Sequence, residues 1–465
     1  MSLVAPADRT AAAKTVVADD INPLLSGPIF RTLVGLSLPN MLAMVASALV
    51  AVAETAYVGR LGTPSLAGLA LVFPLVMLMV MMSAGAMGGG VSAAISRAIG
   101  ARDEVRASML AMHALIIGAA AGLASAALLL TCGRAIYTAL GGRTDALAEA
   151  LAYSNIIAFA AIGIWLTNTL ASVVRGGGNM RVPSSTLLLA AAAQVALGGG
   201  LGLGVGPLPR LGMVGIALGQ VVTAGAGAAF LMWYLAAGRG RVRLDFRQVS
   251  LHWEMFRDIL KVGALSCISP LQTVLTVLIL TRLVASFGTQ ALAGYGIGAR
   301  LEFLLIPIAF GIGVACVPMV GMAIGAGDAT RARQVAWSGG ALAGAIVGTV
   351  GIFVAVFPNA WARMFTSDAA VLDAARAYFA WAGPFYPLFG LGLCLYFASQ
   401  GAGKVLGPVL AGTLRLVVVA VGGWWLAAAN APAEQMFALV GLAMAVYGLA
   451  TGLAVYVTPW GRYRA

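Results

Sequence analysis

Charge is what this sequence has least of. Only 9% of its 465 residues are charged, 16 Asp and Glu against 28 Lys and Arg, where a soluble protein carries about 25%. That is too little to wet the surface of a soluble body of this length. A soluble enzyme is therefore excluded, and with 61% hydrophobic residues so is a disordered chain. Two histidines, His113 and His252, leave little for imidazole catalysis or metal ligation. Four cysteines, Cys132, Cys267, Cys316 and Cys394, lie in apolar stretches without metal-ligand spacing and read as small hydrophobes. No phosphate-binding glycine loop, zinc-protease helix or nucleophile elbow occurs, so neither an enzyme site, a cofactor nor a bound metal is expected. Residues 1–28 are polar and of mixed charge, without the apolar core of a secretory leader, and are expected to form a cytoplasmic tail.

What is there instead is apolar sequence, with mean hydropathy +0.96. A membrane-spanning helix needs about 20 apolar residues. Twelve such segments can be bounded by charges and Gly/Pro punctuation: 30–58, 65–95, 106–131, 147–174, 182–206, 211–237, 257–285, 291–323, 334–357, 371–399, 405–428 and 434–458. The strict alternation of a β-barrel is missing. The expected fold is an all-α polytopic membrane protein: a six-helix bundle over 29–237, a cytoplasmic linker over 238–256 and a second bundle over 257–465.

Lys and Arg gather in alternate loops. Twenty of the 28, Arg415 counted among them, fall on the side of the N-terminus, and Arg300 falls inside a span. By the positive-inside rule both termini are expected in the cytoplasm, and the expected location is a bacterial inner (plasma) membrane. This distribution explains the +12 net charge without nucleic acid.

The halves repeat each other. Ile99-Gly100-Ala101-Arg102-Asp103 recurs as Ile324-Gly325-Ala326-Gly327-Asp328, and Arg175-Gly176-Gly177-Gly178 answers to Gln400-Gly401-Ala402-Gly403, at one offset of 225 residues. Tyr153 and Tyr378 share that offset, and Leu61-Gly62-Thr63 matches Phe287-Gly288-Thr289 at 226. A repeat of six spans returns the chain to the same side, so the halves are related by a pseudo-two-fold axis along the membrane normal. Transporters of this build bind substrate between the halves near the midplane and alternate its access.

At these residues the sequence resembles the multidrug and toxic compound extrusion (MATE) family. Leu36-Ser37-Leu38-Pro39 opens the first span, which closes on Glu54-Thr55-Ala56-Tyr57-Val58-Gly59-Arg60-Leu61-Gly62. With Ile99-Gly100-Ala101, Arg175-Gly176-Gly177-Gly178-Asn179 and Gln400-Gly401-Ala402-Gly403, these segments match the family's signatures in order along nearly the whole chain. The resemblance implies two six-helix bundles around a central cavity, acting as a monomer. It also implies secondary-active export of organic, often cationic, compounds against an inward flow of H+ or Na+.

Only two carboxylates, Glu54 and Glu302, lie inside spans. An ionisable group there is costly and a functional candidate by default. A carboxyl moved between wet and dry surroundings changes its hold on a proton, which is the chemistry a proton antiporter needs. Glu54 matches the first-helix acid of the DinF-like branch and is the candidate proton-coupling residue. Its candidate polar neighbours are Gln194, Gln220, Asn168 and Tyr57, and Pro39 is a candidate helix bend. That branch also carries an acid in span five, where this chain has Gly198. The NorM-like branch carries acids in spans seven and ten, where this chain has Gln272 and about Phe389. A sodium site there would lack its carboxylates, so H+ is the expected coupling ion. Glu302, Arg300 and Gln272 are candidates for a second site in the C-terminal half. Residues two apart on a helix diverge, so Glu302 and Arg300 are not a side-by-side pair. The alternatives are Na+-coupled export and a lipid-linked oligosaccharide flippase, whose pyrophosphate would call for cavity bases.

Overall fold

The computed structural model describes residues 23–205, 207–246 and 250–461; most of the N-terminal tail lies outside that range. Among the described residues twelve helices are long and apolar enough to span a membrane. They are α1 (Ile29–Gly59), α2 (Thr63–Gly100), α3 (Glu104–Ala139), α4 (Thr144–Gly176), α5 (Arg181–Leu203), α6 (Gly212–Ala236), α7 (Trp253–Ala285), α8 (Thr289–Gly325), α9 (Ala329–Val356), α10 (Ala369–Gly401), α11 (Leu406–Ala428) and α12 (Ala433–Val457). No strand occurs among the described residues. α7 starts at Trp253 rather than at the expected 257, because its first turn is amphipathic and carries charges that a hydropathy boundary excludes.

The repeated motifs are the helix ends. Gly62 and Gly288 precede α2 and α8 with φ of 125° and 100°, a conformation open to glycine. Asp103 and Asp328 accept from the backbone N–H of Arg106 and Arg331 at 2.8 and 2.9 Å, each opening the next helix with a side-chain cap. The residue before each cap is left-handed, Arg102 at φ 61° and Gly327 at φ 81°.

Packing follows the repeat as well. A methyl group built on Gly176 would meet Ser92 O and Ile95, and one on Gly401 would meet Val317 O and Val320, residues 225 positions on. Across the two halves, Gly100 abuts the carbonyl of Met322 and Gly325 abuts the carbonyl of Arg97. These are symmetry-related contacts, so the pseudo-two-fold axis passes between the ends of α2 and α8. Small residues let the helix backbones meet, as membrane interfaces require.

The half of the molecule holding that contact is the arginine-rich one, and every hydrogen bond between lobes among the described residues lies in it. Arg97, 3% exposed, donates to Asp258 Oδ1 at 2.9 Å and to Gly401 O at 3.3 Å. Arg106 reaches the other oxygen of Asp258 at 3.5 Å. Gln400 Nε2 donates to Gly85 O at 3.1 Å and Asn40 Nδ2 to Gly311 O at 3.3 Å. His113 is fully buried; its Nε2 accepts from the backbone N–H of His252 at 2.9 Å and so ties the linker to α3. Arg331 donates to the carbonyls of Leu24 and Gly27, strapping the helical turn Pro23–Ser26 across the lobes.

Candidate functional site

Among the described residues an acid lies within the spans of each lobe, Glu54 in one and Glu302 in the other, and a cavity runs between the lobes. In the N-terminal lobe Glu54 sits five residues before the end of α1. Gln194 of α5 donates from Nε2 to Glu54 Oε1 at 2.6 Å and to Ile216 O at 3.2 Å, while its Oε1 accepts from Thr223 at 3.4 Å. Three helices thus aim one amide at one carboxylate. Glycines make room for it: a methyl on Gly198 would lie 3.0 Å from Gln194 Nε2, and one on Gly219 would lie 2.8 Å from the Gly198 backbone. The position where the DinF-like branch keeps an acid is therefore occupied by the close approach of α5 and α6. A side chain at Gly198 would press on the Gln194 amide, which would have to shift to admit it. The Tyr57 ring lies on Gly199, where a methyl would come within 2.7 Å.

In the C-terminal lobe the hydroxyls of Tyr378 and Tyr386 both donate to Glu302 Oε1, that of Tyr386 at 3.4 Å. Tyr295 packs edge-on against Tyr378, ring centroids 5.7 Å apart. The carboxylate is therefore held by α10, not by Arg300. Tyr153, the repeat partner of Tyr378, is buried within electrostatic reach of Glu54.

The cavity between the lobes is narrow, with about 80 Å3 of room for water in this conformation. Its N-lobe wall is Met81, Gly85 and Ala86, within a stretch of α2 over Met81–Met87 that widens to i→i+5 hydrogen bonding. Such π-turns recur at functional sites. Its C-lobe wall includes Gln272, Phe310, Phe389, Tyr396, Arg415 and Tyr447. Gln272 Nε2 is engaged by Thr413 Oγ1 at 2.7 Å and Val409 O at 3.3 Å.

Several expected residues stand elsewhere. Arg300 is exposed, its guanidinium 5.1 Å from the Phe365 ring in the connection before α10, so it is not a cavity residue. Its side chain leaves α8 on the face opposite to Glu302, as residues two apart must. Asn168 donates to Ser83 Oγ at 2.9 Å in the widened stretch of α2, not to Glu54. The Gln220 backbone carbonyl accepts from Thr223 at 3.3 Å, and Glu54 takes its bond from Gln194 rather than from the Gln220 side chain. Pro39 sits within α1, which continues helical on both sides of it. Arg415, counted with the loops, is in the middle of α11 and lines the cavity. The test that singled out Glu54 and Glu302, an ionisable residue well inside a span, finds Arg415 too when applied to cations.

The MatE family model matches residues 39–198 and again 266–425, one copy per lobe. The chain belongs to the MatE family. It is 27% identical over 387 residues, 82% of each chain, to the probable multidrug resistance protein NorM of Thermotoga maritima. It is 25% identical over 441 residues, 94% of this chain and 96% of the other, to the FAD transporter of Shewanella oneidensis. The fold superposes with a TM-score of 0.86 on a MOP-superfamily transporter from Pyrococcus furiosus whose structure is described as having a binding pocket of reversed polarity. That match has 23% identity and covers 93% and 96% of the two chains. This MatE protein is an integral membrane transporter, not an enzyme.

Proposed function

We propose that this MatE protein is an H+-coupled antiporter that exports organic compounds across a bacterial inner membrane by alternating access of the cavity between its lobes. The observation that carries the reading is the Glu54–Gln194 contact. It sets an intramembrane acid against a neutral amide in the half of the molecule where, among the described residues, no hydrogen bond joins the lobes. With the basic residues cytoplasmic and both termini inside, that half faces outward. Glu54 then meets protons from outside while the lobes are parted, and meets a drier setting once they close over it. An acid whose surroundings alternate in this way binds its proton unequally in the two states, the condition for a ligand to drive the change.

The names of the two relatives, one for multidrug resistance and one for FAD, support organic compounds as the cargo. Flipping of lipid-linked oligosaccharides fits less well. A pyrophosphate calls for several bases, and Arg415 is the one base among the residues lining the cavity. Sodium coupling would need acids on α7 or α10, where Gln272 and Phe389 stand.

Proteoliposomes with separately imposed gradients test the coupling. Dye transport is expected to follow a pH gradient and to be indifferent to a sodium gradient at constant pH. Transport that persists on sodium alone after the pH gradient is collapsed would overturn the proposal.

A further inference from the structure

Arg415 is the cation that the proton-coupling account does not use. It lies nine residues into α11, about 14 Å along the helix from its arginine-rich end, which puts it near the middle of the membrane. Its guanidinium is stacked against two aromatic rings, 5.5 Å from the centroid of Phe389 and 5.7 Å from that of Tyr447. Its Nε is buried without a hydrogen-bond partner among the described residues. Glu302, the acid inside a span of its lobe, is taken up by the hydroxyls of Tyr378 and Tyr386 and forms no ion pair with Arg415 among the described residues. Among the described residues no Asp or Glu lines the cavity. With both rings on one flank of the guanidinium, its other N–H donors are left for an oxyanion. The same wall offers Phe310, Phe397 and Tyr396, the first two packed edge-to-face with ring centroids 4.7 Å apart. These are surfaces for a flat ring system.

We infer that the cavity binds an aromatic organic anion, a flat ring system carrying a carboxylate, sulfonate or phosphate, with the anionic group on Arg415 and the rings against the Phe310, Phe389 and Tyr396 wall. The inference rests on the exporter reading above and narrows its cargo. A cation at the same place would meet one uncompensated positive charge and no carboxylate in a setting of low dielectric, where like charges repel strongly. The cationic preference that the family resemblance implies is therefore reversed at this site.

The test uses two xanthene dyes with the same ring system and opposite charge, sulforhodamine B as the anion and rhodamine 123 as the cation. Equilibrium binding to the purified full-length protein in detergent needs no transport. Sulforhodamine B is expected to bind at least about tenfold more tightly than rhodamine 123. Arg415→Gln should remove that preference, and Arg415→Lys, which keeps the charge and loses the fork, should fall between. Should Arg415→Gln fail to fold, the dye preference of the wild type and the partial loss in Arg415→Lys still decide. Equal or tighter binding of rhodamine 123, or unchanged sulforhodamine B binding in both variants, would overturn the site. Proton-driven transport of rhodamine 123 alone would sink this inference and leave the exporter standing. Specific binding of sulforhodamine B without proton-driven transport would do the reverse.

Discussion

Glu54→Gln is expected to insert and fold like the wild type and to lose gradient-driven export. The amide keeps the size of the side chain and an oxygen to accept from Gln194, whose Nε2 now donates at 2.6 Å, so local packing survives. What it loses is the proton. Coupling free energies of about 1–3 kcal/mol correspond to roughly 5- to 150-fold, and export driven by a pH gradient should fall by a factor in that range. Glu54→Asp keeps a titratable group on a shorter stem and should retain part of the activity. Gln194→Ala removes the amide contact and leaves the acid, so it should alter the pH at which export is fastest without abolishing coupling. Transport by reconstituted variants at matched protein levels checks all three. Full export by Glu54→Gln would transfer the role to Glu302.

Gly325→Leu should stop transport by a different route. The glycine touches the backbone carbonyl of Arg97 across the lobes, so any side chain there collides with main chain that cannot swing away. Overpacking of this kind costs about 1–3 kcal/mol, enough to shift the balance between conformations by roughly tenfold to a hundredfold. The arginine-rich end, sealed here by Arg97, Asp258 and Gly401, would be forced apart. A cysteine placed at Ser96, fully buried in this conformation, should become reactive to a water-soluble maleimide from that side. Gly100→Leu presses on the Met322 carbonyl in the symmetry-related contact and should have the same effect. Wild-type transport by either variant, or an unreactive Ser96→Cys in that background, would contradict a closed arginine-rich end as an obligatory state.

The contrast between these two regions shows what the sequence could reveal. Span number, helix type and the internal repeat were legible because each is a one-dimensional signal: run length, hydropathy and a fixed offset of 225 residues. The meeting of Gly100 with Met322 and of Gly325 with Arg97 was not. The repeat places each glycine at a helix end but says nothing of which lobe it touches. Gln194 was legible as a polar residue at a suitable depth in its span. The glycines at 198 and 219 that aim it at Glu54 act through the closeness of α5 and α6, which only packing reveals.

The misplaced residues have physical causes too. Arg300 lies within an apolar run, which suggests depth, yet it points outward to the Phe365 ring. Depth along a helix does not fix the face. The partners of Glu302, Tyr378 and Tyr386, are more than 70 residues away along the chain, beyond any local pattern. Gln400 stood inside a recognised motif, but its hydrogen bond to the Gly85 carbonyl, which joins the lobes, could not be read from it.

The central claim is that a proton carried on Glu54 moves against the cargo, and proton flux can be read directly. Proteoliposomes enclosing a pH indicator, with no gradient imposed, would be given sulforhodamine B or rhodamine 123 on one side while internal pH and dye content are followed together. The account predicts that dye entry is matched by proton movement in the opposite direction, and that Glu54→Gln abolishes the proton signal. Dye entry without a pH change in the wild type, or an undiminished proton signal in Glu54→Gln, would contradict it.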